Sequence, residues 1–309
     1  MANPTEIRQS ITAQIIEALR GGGLPPWRKG WSCRGNGGLP TSVSTGHRYS
    51  GVNVLLLQMA SGRHGLRSKF WGTFNQWRAL GGKVKRRPDH VPPGEWGCQI
   101  IFYKPITKTE TDRDTGEEAE VTLPILRSYC VFNVDQVEGA HLDKFRAAEV
   151  PAAGGFIDYE PAEKIIRSVG ADIRFGGDRA FYRRPTVVGD GDFIQMPPKR
   201  QFGELKEFYA TAFHELAHWS ECRTGWTGSY AEGELRAEIA AAYMLAEIGV
   251  PQSDDMTNHH AYLASWLKAL QDDPRFIFSC STAASRVADH LLACGQAAGI
   301  IPVEAAMAG

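Results

Sequence analysis

A chain of 309 residues with 43% hydrophobic and 22% charged residues has room for two domains and the composition of a globular protein, which excludes collagenous, low-complexity and disordered classes. The net charge of −1 hides an asymmetry: residues 1–110 hold 16 Lys and Arg against 5 Asp and Glu, and the remainder holds 18 against 30. The first part is therefore suited to a polyanion and the second to a different task. Six scattered cysteines without a Cys-x-x-Cys pair argue against a disulfide scaffold, and the longest apolar stretch, near Val52–Ala60, is too short to span a bilayer. With no signal-peptide pattern at the N-terminus, the expected location is the cytoplasm, away from any membrane.

In chain order, residues 3–20 predict a helix that Asn3 caps and Pro4 opens, with Ile7, Ile11, Ile15 and Leu19 as its apolar stripe and Gly21–Gly23 as its stop. The paired prolines of Leu24–Trp31 forbid a helix interior and place Trp27, Arg28 and Lys29 on an irregular segment. A turn-rich loop, Thr45–Asn53, carries Arg48, Tyr49 and Asn53 into an apolar helix at 52–60. Lys69, Trp71, Trp77 and Arg78 then interleave cations with aromatics, and Lys83, Lys85 and Arg86 follow the Gly81-Gly82 stop. Bases of a single strand stack on aromatic faces while Lys and Arg track its phosphates, and five of the eight tryptophans lie within residues 27–96. These thirteen side chains are the candidate DNA-binding set, although any single tryptophan serves equally well as core. No zinc finger, leucine zipper or RNP motif accompanies them, so the contacts expected are to backbone and base faces, with little sequence preference. Cys98–Lys104 and Ile125–Asn133 read as strands flanking a polar stretch, Thr107–Glu120, expected as an exposed hairpin excursion.

The small, glycine-rich stretch Val150–Gly155 reads as a linker between residues 1–150 and 151–309. Beyond it, a helix at Glu160–Val169 and short strands at Ile173–Gly176, Ala180–Arg184 and Asp192–Met196 precede a helix at Gln201–Cys222. That helix contains His214-Glu215-x-x-His218. Residues four apart on a helix face the same way, so two imidazoles can share one divalent metal while Glu215 stands beside the open position to take a proton from water. A catalytic zinc needs a third protein ligand, and the alanine-rich helix Tyr230–Ile248 offers Glu234 and Glu238, four apart on one face. Glu234 is read as the ligand and Glu238 as the carboxylate that orients a histidine from behind, with the exchanged roles left open. Cys222, one turn after His218, reads as a buried inert thiol. Helices near 258–271 and 280–297 complete the packing.

These features together resemble the ArdC-type antirestriction proteins. The N-terminal matches are Pro26-Trp27, Thr45-Gly46, Tyr49-Ser50-Gly51-Val52-Asn53, Trp71-Gly72-Thr73 with Gln76, and Val131-Phe132-Asn133-Val134 with Gln136. They are similar to a single-stranded-DNA-binding domain shared with plasmid primases of the TraC type. Ala180-Phe181-Tyr182, Ile194–Pro197, His214–Trp219 and Glu234–Glu238 resemble the zincin-like metallopeptidase domain joined to it. Relatives commonly carry two adjacent acids where this chain has Gly233-Glu234. The resemblance implies an α+β, two-domain protein that protects incoming plasmid DNA from host restriction during conjugation. It further implies a zinc site of gluzincin type, open also to manganese or another divalent ion, and a protein substrate or restriction enzyme as partner. Zincin-like folds set a small sheet beside the active-site helix, so Asp192–Met196 or Ala180–Arg184 would be the edge that aligns a peptide. Two other functions suit the same residues: a non-catalytic protein that coats single-stranded DNA or blocks a restriction enzyme around a structural metal, and a signalling protease that cuts a repressor.

Overall fold

A computed structural model describes residues 4–21, 25–27, 38–111, 118–147, 158–185, 191–251 and 260–297, with 104–111, 118–125 and 260–261 described by their backbone alone. The chain opens with α1 (Pro4–Arg20), whose buried stripe is Ile11, Ile15 and Leu19. There follow β1 (Thr41–Ser42), α2 (Val52–His64), β2 (Phe70–Thr73), α3 (Phe74–Ala79), β3 (Lys83–Val84), β4 (Cys98–Thr111), β5 (Glu118–Asn133) and β6 (Val137–Glu138). Four strands form a sheet in the order β1-β2-β5-β4, and β3 pairs with β6.

Directly opposed residues of paired strands share a face. The pairs Trp71↔Asn133, Cys98↔Val131 and Ile100↔Tyr129 therefore line one side, where Leu57 of α2 and Leu66 close over Trp71, Ile100 and Val131. On the other side Trp77 of α3 packs with Val43, Val137, Leu142 and Phe145. Its approach requires Gly72, where a Cβ would come within 2.7 Å of Val43 and 3.1 Å of the indole nitrogen. A reciprocal capping box between Thr73 and Gln76 starts α3 at that point. The β4–β5 ladder runs past the strands read at Cys98–Lys104 and Ile125–Asn133: it continues to Thr111↔Glu118, so the polar stretch expected as a hairpin excursion extends the same two strands. Cross-strand backbone pairing needs no apolar side chain, so polarity alone does not end a strand.

The C-terminal part contains α4 (Glu160–Ser168), β7 (Ile173–Phe175), β8 (Phe181–Arg183), β9 (Phe193–Met196), α5 (Leu205–Arg223), α6 (Tyr230–Ile248), α7 (His260–Asp272) and α8 (Phe276–Ala297). The three strands lie in the order β7-β9-β8, with β9 parallel to β7 and antiparallel to β8. Of the two strands expected to offer an edge, β9 is thus interior, and β8 has a side left unpaired among the described residues. Helix α5 packs across β8 and β9, and α6 lies between α5 and α8. Buried alanines at 237, 240 and 241 allow α6 to approach closely.

The two domains share a core. Ile11, Ile15, Trp27, Val52 and Leu55 join Phe213, Tyr243, Trp266 and Leu291 in the largest hydrophobic cluster. Trp27 meets Trp266 edge-on at 5.8 Å between ring centres. Gly51, held at φ +58° before α2, donates its N–H to Ser285 at 2.8 Å and accepts the Tyr243 hydroxyl at 3.0 Å. Glu247 accepts from Arg48 at 2.9 Å and from the Leu39 N–H at 2.7 Å. The linker expected at Val150–Gly155 lies outside the described residues. No helix among the described residues is long and apolar enough to cross a membrane.

Candidate metal centre

Helix α5 begins with a capping box between Glu204 and Glu207, which sets its phase, and one turn separates His214 from His218. Their Nε2 atoms face each other at 3.2 Å. Helix α6, started by a Ser229–Glu232 capping box, brings Glu234 to the same point. Its Oε2 is 3.5 Å from Nε2 of His214 and its Oε1 is 3.6 Å from Nε2 of His218. One ligand atom from each of the three residues lies within 4.8 Å of the others. Glu238, one turn further on, is 3.7 Å from Nδ1 of His214, on the opposite side of the ring from the converging nitrogens. Of the two carboxylates, Glu234 is the one that reaches the converging nitrogens.

The electrostatics are those of a buried acidic site. Burial works against a charged His214, but Glu234, Glu238 and Glu215 outweigh it and push the imidazole up to about 10. Burial alone would raise the Glu234 carboxyl, yet the two histidines hold it far below the usual carboxylate range. His218 is lowered, first by burial and then by the charge of His214, although Glu234 opposes the shift. Glu215, 8% exposed, is raised by burial, while His214 and a backbone hydrogen bond from Tyr182 oppose the shift. Three carboxylates around two imidazoles, with two nitrogens and an oxygen converging, suit a divalent cation in both charge and donor chemistry. Beside them opens a cleft of about 800 Å³, lined by Phe181 and Tyr182 of β8 and by Tyr230 and Tyr262.

One residue of this centre escaped the sequence reading. Oε1 of Glu221 sits 2.8 Å from Nδ1 of His218. The signal was available, since Glu221 follows His218 by three residues, a neighbour spacing on a helix. Cys222, expected to be a buried thiol, is exposed and stands outside the ligand cluster.

The candidate DNA-binding set separates into four groups. Trp27, Trp71 and Trp77 are 0%, 1% and 0% exposed, so the structure corrects their reading as stacking residues. Their rings fill the cores described above, and Trp77 donates its indole N–H to the Phe132 carbonyl at 2.9 Å. Asn53 is likewise engaged, bridging the N–H and carbonyl of Ile101 at 2.9 and 2.8 Å and thereby covering part of the free edge of β4. Tyr49 is half-buried, its phenol pushed up to about 12 by burial, and Arg48 is paired with Glu247. Lys69 is half-buried beside the Phe70 ring. Arg78, Lys83, Lys85 and Arg86 are exposed, and Lys85 reaches the Asp135 carbonyl at 2.7 Å. Arg28 and Lys29 lie outside the described residues. Exposed rings do exist on this part of the protein, at Phe74, Phe102, Tyr103 and Tyr129. Phe102 stands opposite the exposed Arg127 in the β4–β5 register and meets Tyr129 edge-on at 6.5 Å.

Fold and site together define a two-domain α+β protein with a zincin-like metallopeptidase domain, and residues 160–285 match the zincin-like metallopeptidase family. Residues 5–132 match the N-terminal domain of anti-restriction factor ArdC. The metal-free crystal structure of the antirestriction protein ArdC from the R388 plasmid aligns with a TM-score of 0.71 at 34% identity, covering 96% of this chain and 99% of that chain. Its Mn(II)-bound structure aligns at 0.68 and 32% identity, covering 93% and 97%. The uncharacterized protein y4eC of Sinorhizobium fredii (strain NBRC 101917 / NGR234) is 32% identical over 301 residues, which are 93% of this chain and 92% of y4eC. DNA primase TraC of Escherichia coli is 35% identical over 312 residues, covering 93% of this chain but 27% of the primase. The chain belongs to the ArdC antirestriction family.

Proposed function

We propose that this protein is a cytoplasmic, metal-dependent antirestriction factor that binds single-stranded DNA and protects incoming plasmid DNA from host restriction during conjugation. Residues 1–150 supply the DNA-binding part and 151–309 the metallopeptidase part. The observation that supports this reading most strongly is the convergence of His214, His218 and Glu234, with Glu215 beside them, in a chain of the ArdC family. Zinc is the usual ion for two imidazoles and a carboxylate, and the Mn(II)-bound form of R388 ArdC supports manganese as another occupant.

When bound, the ion would polarise a peptide carbonyl and acidify a water. Glu215 is placed to accept the proton of the attacking water and to deliver it to the leaving amine. An extended peptide would pair with the free side of β8, whose backbone already contacts Glu215 through Tyr182. Single-stranded DNA would be held by the exposed cations Arg78, Lys83, Lys85 and Arg86, with Phe102 and Tyr129, which share one face of the β4–β5 hairpin, in place of the tryptophans as base platforms.

The test combines metal analysis, oligonucleotide binding and transfer of a plasmid into a restricting host. Wild type should carry about one divalent ion per chain, as a three-ligand site holds, and His214→Ala should lose it. Both should bind a single-stranded oligonucleotide in a salt-dependent manner. Glu215→Gln should keep the ion and lose protection. Full protection by a metal-loaded Glu215→Gln protein would defeat the peptidase reading and leave DNA coating as the mechanism.

A further inference from the structure

Building on the reading of His214, His218 and Glu234 as metal donors, we infer that Glu221 is a positioning residue: it sets the ring of His218, and Arg184 and Arg236 clamp its carboxylate in turn. Glu221 is 2% exposed. A carboxylate only accepts hydrogen bonds, so at 2.8 Å from Nδ1 it requires the proton of His218 to sit on that nitrogen. The lone pair then belongs to Nε2, the atom that faces His214 and Glu234. The other tautomer would direct an N–H at the ion. Glu221 thus selects the form of His218 able to bind metal, and it restricts rotation of the ring.

A carboxylate this deeply buried needs partners of its own. Arg236, 1% exposed, lies on α6 between Glu234 and Glu238, and its Nη2 donates to Oε1 of Glu221 at 3.0 Å and to the Ala217 carbonyl at 2.9 Å. Its guanidinium lies 4.7 Å from the centre of the Trp226 ring. Arg184, immediately after β8, pairs with Oε2. Gly233 leaves room for this cluster: a Cβ there would come 3.0 Å from Trp226 and 3.5 Å from Oε1 of Glu221. The single carboxylate therefore ties together α5, α6 and the end of the free strand. A disturbance of the strand that displaces Arg184 reaches the metal ligand through one intervening side chain.

A role confined to holding helices together would alter stability and leave the metal untouched, so the decisive readouts are Zn²⁺ affinity by chelator competition and the visible spectrum of the Co²⁺ form. Glu221→Gln is expected to weaken Zn²⁺ binding by roughly 10- to 100-fold and to change the Co²⁺ bands, with oligonucleotide binding intact. Arg184→Ala should weaken it less, and Glu221→Asp should recover part of the loss. Wild-type affinity and spectrum in both Glu221→Gln and Arg184→Ala would overturn the proposal. Should Glu221→Gln fail to fold, Arg184→Ala decides alone, since its side chain is 57% exposed and its removal spares the buried pair; unchanged affinity there overturns the proposal. A wild-type protein that binds no Zn²⁺ would instead remove the metal reading on which the proposal rests.

Discussion

Replacing Trp77 by phenylalanine should lower stability and leave DNA binding unchanged, the opposite of what a stacking tryptophan would do. The ring is fully buried against Gly72 and Phe145, and its indole N–H is donated to the Phe132 carbonyl at 2.9 Å. Phenylalanine removes that donor and part of the ring, for a cost of about 1–3 kcal/mol; alanine, which leaves a larger void, should cost about 3–5 kcal/mol. Urea unfolding followed by circular dichroism reads the loss, and a salt series of oligonucleotide gel shifts reads the affinity of the folded protein. Phe102→Ala and Tyr129→Ala supply the converse. Both rings are exposed, so stability should stay within about 0.5 kcal/mol while affinity falls by about 1–3 kcal/mol for each base that stacks on them. A Trp77→Phe protein as stable as wild type with tenfold weaker oligonucleotide binding would refute this assignment of core and surface.

Other outcomes are expected with equal definiteness. A divalent ion at a hundred times its dissociation constant should stabilise wild type by about 2.7 kcal/mol, and thermal melts with and without chelator should show no such difference in His214→Ala. Glu247→Ala removes the partner of Arg48 and of the Leu39 N–H at once; a loss of about 1–3 kcal/mol is expected, read by the thermal midpoint. The Asp192 carboxyl is held below its ordinary value by Arg223 foremost, with Tyr182 also donating to it. A depressed carboxylate stabilises above its unfolded pKa of about 3.9 and loses that contribution as pH falls through the folded value. Asp192→Asn should therefore be less stable than wild type at pH 6 and converge on it as the pH approaches 2, measured by urea midpoints.

The metal centre was partly legible because helical spacing is local. His214 and His218 are related by one turn wherever the helix lies, and Glu234 and Glu238 share a face for the same reason. Which of the two acids meets the Nε2 atoms depends on how α6 crosses α5, and that crossing follows from the buried alanines and the cluster around Phe213 and Tyr243. The short strands near residues 173, 181 and 193 were readable from their Gly and Asp turns, but their order was not. Hydrogen-bond partners are chosen by tertiary packing, and β9 enters between two strands that precede it. The tryptophans show the limit of composition: aromatic and basic residues mixed along a chain look alike whether the rings turn inward or outward.

The sequence by itself determined the main helices, the His-Glu-x-x-His face and the carboxylate pair, since each depends on residues within about two turns of one another. Tertiary structure alone decided that α1 and Trp27 pack into the C-terminal core, that Trp71 and Trp77 are buried while Phe102 and Tyr129 are exposed, and that β8 lies at an edge of its sheet while β9 is interior. It also decided that Arg184 and Arg236, 37 residues before and 15 after Glu221 in the chain, close upon it. Burial and ion pairing between distant segments are set by which faces must leave water together, and no window of sequence contains both faces.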